Sequence, residues 1–306
     1  MAHPIKVDCG YNQCIKMNDQ SSRVTAIGHI AREVLDRNRN ARVMGTSIHG
    51  IYLQPEGDLT LFLSRDHFRG PLTLNLGEGT HHFHLVQSGN QVLLWDHILE
   101  FPDPGLNIVF QRPLCWEPKQ SPKYSGVTAG RASELVNTAR SLNPEHPYLA
   151  LLDAVSPGPC DPAGDAAQIL EQVNYIYHAV EKENPAYLLS EARWILGAGP
   201  GLTPLGDDLL MGILLVINRV NRYQDPKSSL ARLNQSILDE AQTKTTTLSW
   251  SLLSCAARGS ADERIIRVLD GLVSGRSIAD QDIMGLLEWG SSSGIAVLAG
   301  MILALS

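Results

Sequence analysis

Hydrophobic residues recur at two different periods along this chain, and the change of period divides it. Up to residue 115 they tend to alternate. Leu59, Leu61 and Leu63 are interleaved with Thr60 and Phe62, Leu72, Leu74 and Leu76 with Thr73 and Asn75, and Leu106, Ile108 and Phe110 with Asn107 and Val109. Side chains on a strand point to opposite faces in turn, so this period of two predicts half-buried strands. Pro55-Glu56-Gly57-Asp58 and Ser88-Gly89-Asn90 carry the chemistry of hairpin loops. An opening helix is expected over Ile27 to Leu35, followed by an antiparallel sheet or small barrel.

Gln111 to Gly126 is rich in proline and polar residues and suits a linker. Beyond it the period becomes helical. Leu188, Leu189, Ala192 and Ile195 form one stripe, Leu230, Leu233, Ile237, Leu238 and Ala241 a second, and Ile265, Ile266, Val268, Leu269 and Leu272 a third. The expected fold class is α+β: a β-rich domain over 1–115, a linker over 116–126, and a helical domain over 127–306. No internal repeat and no coiled-coil heptad interrupts that plan.

One stretch stands apart from these patterns. Gly197-Ala198-Gly199-Pro200-Gly201-Leu202-Thr203-Pro204-Leu205-Gly206-Asp207-Asp208 combines glycines and prolines with two adjacent carboxylates at the mouth of an apolar segment. Glycines let backbone N–H groups converge on a ligand, and the helix that follows adds the positive end of its dipole. Thr203-Pro204 predicts an N-cap with proline at the first helical position, which puts Asp207 and Asp208 in or just beyond the first turn. The spacing Gly201 to Gly206 matches a nucleotide-binding loop, but that loop needs Lys and Ser/Thr where Asp207 and Asp208 stand. A dinucleotide fingerprint needs a preceding strand, whereas Ala186 to Leu196 has helical spacing. What fits is an anion-binding or metal-assisted site. Its backbone donors come from Gly199, Gly201, Leu202, Thr203 and Gly206, and Asp207 or Asp208 serves as orienter, metal ligand or base. Successive helical residues diverge by about 100°, so the two carboxylates are expected to do different work. A well-capped helix start with no ligand is the plain alternative.

Two further polar helix starts occur in the same half. Thr245-Thr246-Thr247-Leu248-Ser249 opens a helical pattern ending near Arg258-Gly259, and Thr245, Thr246 and Ser249 can share a face. Gly290-Ser291-Ser292-Ser293-Gly294 precedes the last apolar run. Each alone suits capping. Together, Thr245, Thr246, Ser249, Ser292, Ser293 and Gly294 could converge with the glycine-rich loop on one anion. His81, His82 and His84 follow a Gly-rich segment, and on a strand His82 and His84 would share a face able to hold a metal. No further ligand follows from spacing, so hydrogen-bonded or exposed histidines are the simpler reading.

Composition narrows the function classes. The 306 residues carry a net charge of −7, 43% hydrophobic and 19% charged residues, a globular balance that disfavours bulk binding to nucleic acid or anionic membrane. Arg32, Arg37, Arg39 and Arg42 are interrupted by Glu33 and Asp36 and suit a solvated helix face. The runs Leu209 to Ile217 and Ile295 to Leu305 are too short to span a bilayer, and Met1 to Gln20 is polar with no signal core. Five scattered cysteines (Cys9, Cys14, Cys115, Cys160, Cys255) lack CxxC spacing and read as reduced thiols. A soluble cytoplasmic protein is expected.

The run Gly199 to Gly212, with the later Thr/Ser-rich segment and the Gly-Ser loop, resembles the AllH family, whose members are associated with oxamate carbamoyltransferase in anaerobic allantoin and purine breakdown. The chain departs from the family pattern at Ser291, where histidine is expected, and at Ala296, where a polar or acidic residue is expected. The resemblance implies a subunit of a carbamoyltransferase complex acting on oxamate and carbamoyl phosphate. Its partners would be a small anionic substrate and other subunits of the complex. A non-catalytic anion-binding or assembly subunit is one alternative. A metal-dependent phosphotransferase using a divalent cation is another, and needs more carboxylates than the motif supplies.

Overall fold

The computed structural model describes residues 22–78, 82–95, 97–123, 127, 129–146, 148–155, 185–220 and 229–305. Met1 to Gln20, Cys9, Cys14, His81 and Cys160 lie outside them, as does part of the expected linker. The N-terminal part is a β structure and the C-terminal part is helical, as the two periods require.

The chain enters on strand β1 (Ser22–Gly28) before helix α1 (His29–Arg37). The opening helix expected over Ile27 to Leu35 therefore has a strand ahead of it and starts two residues late. Burial alternates over Ser22 to Ala26, but the inward side chains Ser22 and Ala26 are small and carry little hydrophobic signal. Strands β2 (Asn40–Ser47), β3 (Gly50–Pro55), β4 (Leu61–Ser64), β5 (Thr73–Leu76), β6 (Gln91–Trp95), β7 (Ile98–Phe101), β8 (Leu106–Val109) and β9 (Leu114–Trp116) follow. They run in the order β5-β4-β3-β2-β6-β7-β8-β1, and the β1–β5 pairing closes the ring into a barrel, with β9 added beside β1. The barrel is mixed rather than purely antiparallel, because β4–β5, β1–β8 and β1–β9 run parallel.

The Pro55–Asp58 turn joins the antiparallel pair β3–β4 as expected. Ser88-Gly89-Asn90 does not close a hairpin. It follows a short 3-10 turn (Phe83–Leu85) and lies over β2, where Gly89 N–H donates to Val43 O at 2.7 Å. That turn also removes the strand on which His82 and His84 would have shared a face. Arg39 and Arg42 flank or lie on β2 rather than on a helix, and Arg37 pairs with Asp58.

The helices are α2 (Ala129–Leu142), α3 (Leu149–Val155), α4 (Pro185–Ile195), α5 (Leu205–Val220), α6 (Ser229–Lys244), α7 (Thr247–Ala256), α8 (Glu263–Ser274), α9 (Asp280–Leu287) and α10 (Ser293–Leu305). The stripes read from sequence are buried: Ala192 and Ile195 on α4, Leu233, Ile237 and Ala241 on α6, and Ile265, Val268 and Leu269 on α8. Helices α5 and α10 form the centre and are buried nearly all round. They cross at Gly212 and Gly300: a Cβ on Gly212 would fall against the Val297 carbonyl, and one on Gly300 against that of Leu209. Barrel and helices each have their own core, and Cys255 of α7 reaches into the barrel's.

A polar seam joins the two. Thr60 N–H donates to Ser251 Oγ at 2.9 Å, Glu263 N–H donates to Arg69 O at 2.8 Å, and Arg69 Nη2 returns a bond to Glu263 Oε1 at 3.0 Å. Arg258 meets Glu33 of α1 at 2.7 Å. Among the described residues no helix is long and apolar enough to cross a membrane.

The α5–α10 crossing yields a direct test. Gly→Ala in a helix ordinarily gains about 1 kcal/mol of propensity, whereas overpacking costs about 1–3 kcal/mol, more when the obstacle is backbone that cannot rotate away. Gly212→Ala and Gly300→Ala are therefore each expected to lower the urea midpoint. A midpoint at or above the parent's would show that the helices do not approach this closely.

Candidate functional site

Helix α5 begins one residue later than the sequence suggests. Pro204 O accepts the N–H of both Asp207 (2.9 Å) and Asp208 (3.2 Å), so Pro204 itself occupies the N-cap position and Thr203 lies before it. The shift frees the Thr203 hydroxyl for a different partner. Gly206 is pinned behind it, its N–H donating to Ala198 O at 3.0 Å, and a Cβ there would strike the Ile195 carbonyl. The loop that makes this return has Gly197, Gly199 and Gly201 at positive φ, a conformation that favours glycine.

The two aspartates, each only 2% exposed, diverge as helical geometry requires. Asp207 turns back to the loop and to α7. Its Oδ1 accepts the Gly197 N–H at 2.7 Å, and its Oδ2 accepts a hydrogen bond from the Thr245 hydroxyl. Asp208 turns toward α10, beside the hydroxyls of Ser293 and Thr203. Those two hydroxyls lie 2.9 Å apart, and Asp208 Oδ2 has no hydrogen-bond partner among the described residues. Thr246 caps α7 by accepting the Ser249 N–H at 3.0 Å and donates its hydroxyl to Leu202 O at 2.5 Å. The three polar helix starts thus meet: the glycine-rich loop with α7 through Asp207 and Thr246, and with α10 through Thr203 and Ser293.

Electrostatics separate the aspartates further. Burial raises the Asp208 carboxyl to about 8, against the pull of the Ser293 and Thr203 hydroxyls and with Asp207 adding its own negative charge. Burial also raises Asp207, opposed by the Gly197 N–H and by the hydroxyls of Thr245 and Ser249. A buried carboxyl that titrates near neutrality and retains an unpaired oxygen can hold or release a proton at working pH.

In front of Thr203 and Ser293 opens a cleft of about 530 Å³ between barrel and helices, a size suited to a small-molecule ligand. Leu202, Thr203, Leu248, Gly290, Ser291 and Ser293 line it from the segments singled out by sequence. Asp207, Asp208, Gly199, Gly201, Gly206, Thr245, Thr246, Ser249, Ser292 and Gly294 do not line it. Some of them brace those that do: Thr246 donates to Leu202 O, and Gly294 seats α10 on the Leu286 carbonyl. The opposite wall was not foreseen. It brings Tyr52 stacked on Phe62 at 4.6 Å, His49 paired with Asp66 at 3.2 Å, and Arg264 over the Phe68 ring at 4.3 Å. No local signal marks these residues, since a barrel wall and a helix start meet there across some 200 positions of sequence (Arg69 and Glu263 are 194 apart). A shallower hollow along α2, near Ser133 and Asn137, gathers no buried ionisable group.

Among the described residues no group of three or more His, Cys, Asp and Glu side chains is arranged to hold a metal ion. His82 and His84 have their rings 5.9 Å apart at the barrel's 3-10 turn, and neither lines the cleft.

Residues 195–305 match the family model described as oxamate carbamoyltransferase subunit AllH. The match runs from the end of α4 through α10 and contains all three converging segments, which bears out the resemblance to the AllH family over this stretch. No curated protein and no solved structure matches the chain.

The aspartates predict substitutions of opposite sign. A carboxyl raised on folding stabilises the native state fully below its unfolded value of about 4, and that stabilisation is lost as pH rises toward its folded value of about 8. Asp208→Asn removes the loss, so its melting temperature relative to the parent should climb between those limits and exceed it on the alkaline side. The comparison must be a difference, because Asp58, Glu33 and Glu263 are lowered by their arginine partners and tilt the acid limb the other way. Asp207→Ala instead strands the Gly197 N–H and the Thr245 hydroxyl and should cost about 1–3 kcal/mol. Matching pH profiles for parent and Asp208→Asn would refute the assignment.

Proposed function

We propose that the chain is the ligand-binding subunit of a carbamoyltransferase assembly that joins oxamate to the carbamoyl group of carbamoyl phosphate. The observation that carries this reading is the buried Asp208 carboxyl behind the hydroxyls of Thr203 and Ser293, which line the cleft, inside the segment that matches AllH. In the reaction the amide nitrogen of oxamate attacks the carbamoyl carbon. A C–N bond forms, the C–O bond to phosphate breaks, phosphate departs with the electron pair, and the nitrogen loses a proton. Ionised Asp208 takes that proton through the adjacent hydroxyls. The starts of α5, just beyond Thr203, and of α10 at Ser293 present partial positive charge to the oxygens where negative charge accumulates. On this reading Gly199, Gly201, Leu202, Thr203 and Gly206, with Thr245, Thr246, Ser249, Ser292, Ser293 and Gly294, shape one anion-binding site. Asp207 orients the loop. The reaction belongs to ureide and purine catabolism in the cytoplasm.

One observation favours an incomplete site in the isolated chain. Asp66, Asp262 and Glu288 line the cleft against Arg264 and His49. A phosphate dianion ordinarily wants more positive charge than that. Cations from another subunit would complete it, which also accommodates a purely anion-binding or assembly role.

Phosphate release from carbamoyl phosphate in the presence of oxamate distinguishes these cases. The purified chain alone is expected to give little turnover, and addition of the subunits encoded beside its gene should restore it. Turnover should then fall at least tenfold in Asp208→Asn. Full turnover by the chain alone would refute the dependence on partners, and none in the assembly would refute the transferase reading.

A further inference from the structure

Arg264 stands outside every segment that the sequence singled out, yet it is the most thoroughly braced side chain of the cleft. Its Nε and Nη2 bond Asp262 Oδ1 and Oδ2 at 2.8 and 2.9 Å. The guanidinium lies over the Phe68 ring at 4.3 Å, and the stem passes Gly285, where a Cβ would sit in ordinary contact with its Cγ and Cδ. Asp262 is itself fixed, because its side chain caps α8 by accepting the Arg264 N–H at 2.9 Å. The reciprocal Arg69–Glu263 bonds lock residues 262–264 to the barrel strap carrying Phe68. Among the described residues Nη1 has no hydrogen-bond partner. Its two N–H donors therefore sit on a side chain held in place at the cleft wall, open to a ligand.

We infer that Arg264 anchors the carboxylate of the cleft's ligand through Nη1, and that the cleft selects a monoanion over a dianion. An arginine held this rigidly loses little side-chain entropy on binding and offers donors in a fixed plane. Asp262 balances its charge, so what Nη1 contributes is directed hydrogen bonding rather than a strong positive field. Asp66 and Glu288 line the same space and oppose a second negative charge on the ligand. A carboxylate meets both conditions, which leaves the phosphate end of carbamoyl phosphate to groups that another subunit brings to the cleft. The inference rests on the reading of the cleft as the ligand site and adds a residue and a charge selectivity to it.

Calorimetric titration of the chain with oxamate, its neutral diamide oxamide, and inorganic phosphate at mildly alkaline pH tests it. The parent should bind oxamate more tightly than either of the others. Losing hydrogen bonds to a charged group weakens binding by roughly 10- to 100-fold, so Arg264→Gln should lose that factor for oxamate while oxamide binding stays unchanged. A merely structural lesion would weaken both ligands alike. Arg264→Lys, which keeps the charge without the fork, should fall between, and it serves as the readout should Arg264→Gln fail to fold. Equal oxamate affinity in parent and variants, phosphate binding as tight as oxamate, or no oxamate binding by the parent would each overturn the inference. Transfer by the assembled subunits is a separate measurement, so failure here leaves the transferase reading to its own test.

Discussion

Two adjacent carboxyl groups are buried at the start of one helix, and the rest of the site depends on how each is accommodated. Burying a carboxylate is costly unless donors surround it. Asp207 is met by the Gly197 N–H and the Thr245 hydroxyl, and that solution fixes the glycine-rich loop against α7. Asp208 is met only by neighbouring hydroxyls, with one oxygen unpartnered, and its carboxyl rises to about 8. Within one helix turn a structural staple thus stands beside a titratable group, because adjacent side chains leave the axis in different directions.

Backbone proximity makes this arrangement possible. Gly206 and Gly294 let the starts of α5 and α10 rest on the carbonyls of Ile195 and Leu286, and Gly212 and Gly300 let the two helices touch along their crossing. Any larger residue at those points would push Ser293 away from Thr203 and Asp208. Facing them, the barrel supplies the aromatic wall, and the Arg69–Glu263 and Thr60–Ser251 bonds hold that wall to the helices. The cleft therefore combines a polar floor from helix starts with a wall from strands. Its charge balance leans acidic, with Asp66, Asp262 and Glu288 against Arg264 and His49.

Much of this was legible in the sequence where local periodicity governs. The change of hydrophobic period marked the β and helical parts, and the stripe from Ile265 to Leu272 is buried as read. The run Gly197 to Asp208 announced a turn into a helix with acidic residues in its first turn, which is what α5 shows. The misreadings share a cause. β1 does alternate in burial over Ser22 to Ala26, but two of its three inward positions there are the small Ser22 and Ala26, which leave little hydrophobic signal. Ser88-Gly89-Asn90 has hairpin chemistry, but Gly89 answers to Val43 of a strand far back in the chain. The N-cap shift by one residue follows from Gly206 being held to Ala198 O, a contact that spacing does not reveal. The far wall, Tyr52, Phe62, Phe68 and Arg264, exists only once strand order and the barrel–helix seam are set.

Asp208 is a buried carboxyl that titrates near neutrality, and carboxyl carbon NMR of aspartate-labelled protein reads that directly. One resonance is expected to titrate near 8, to vanish in Asp208→Asn, and to shift when oxamate is added. If every aspartate carboxyl instead titrates in the ordinary range of about 3 to 5, Asp208 is ionised throughout and the account of this site is wrong.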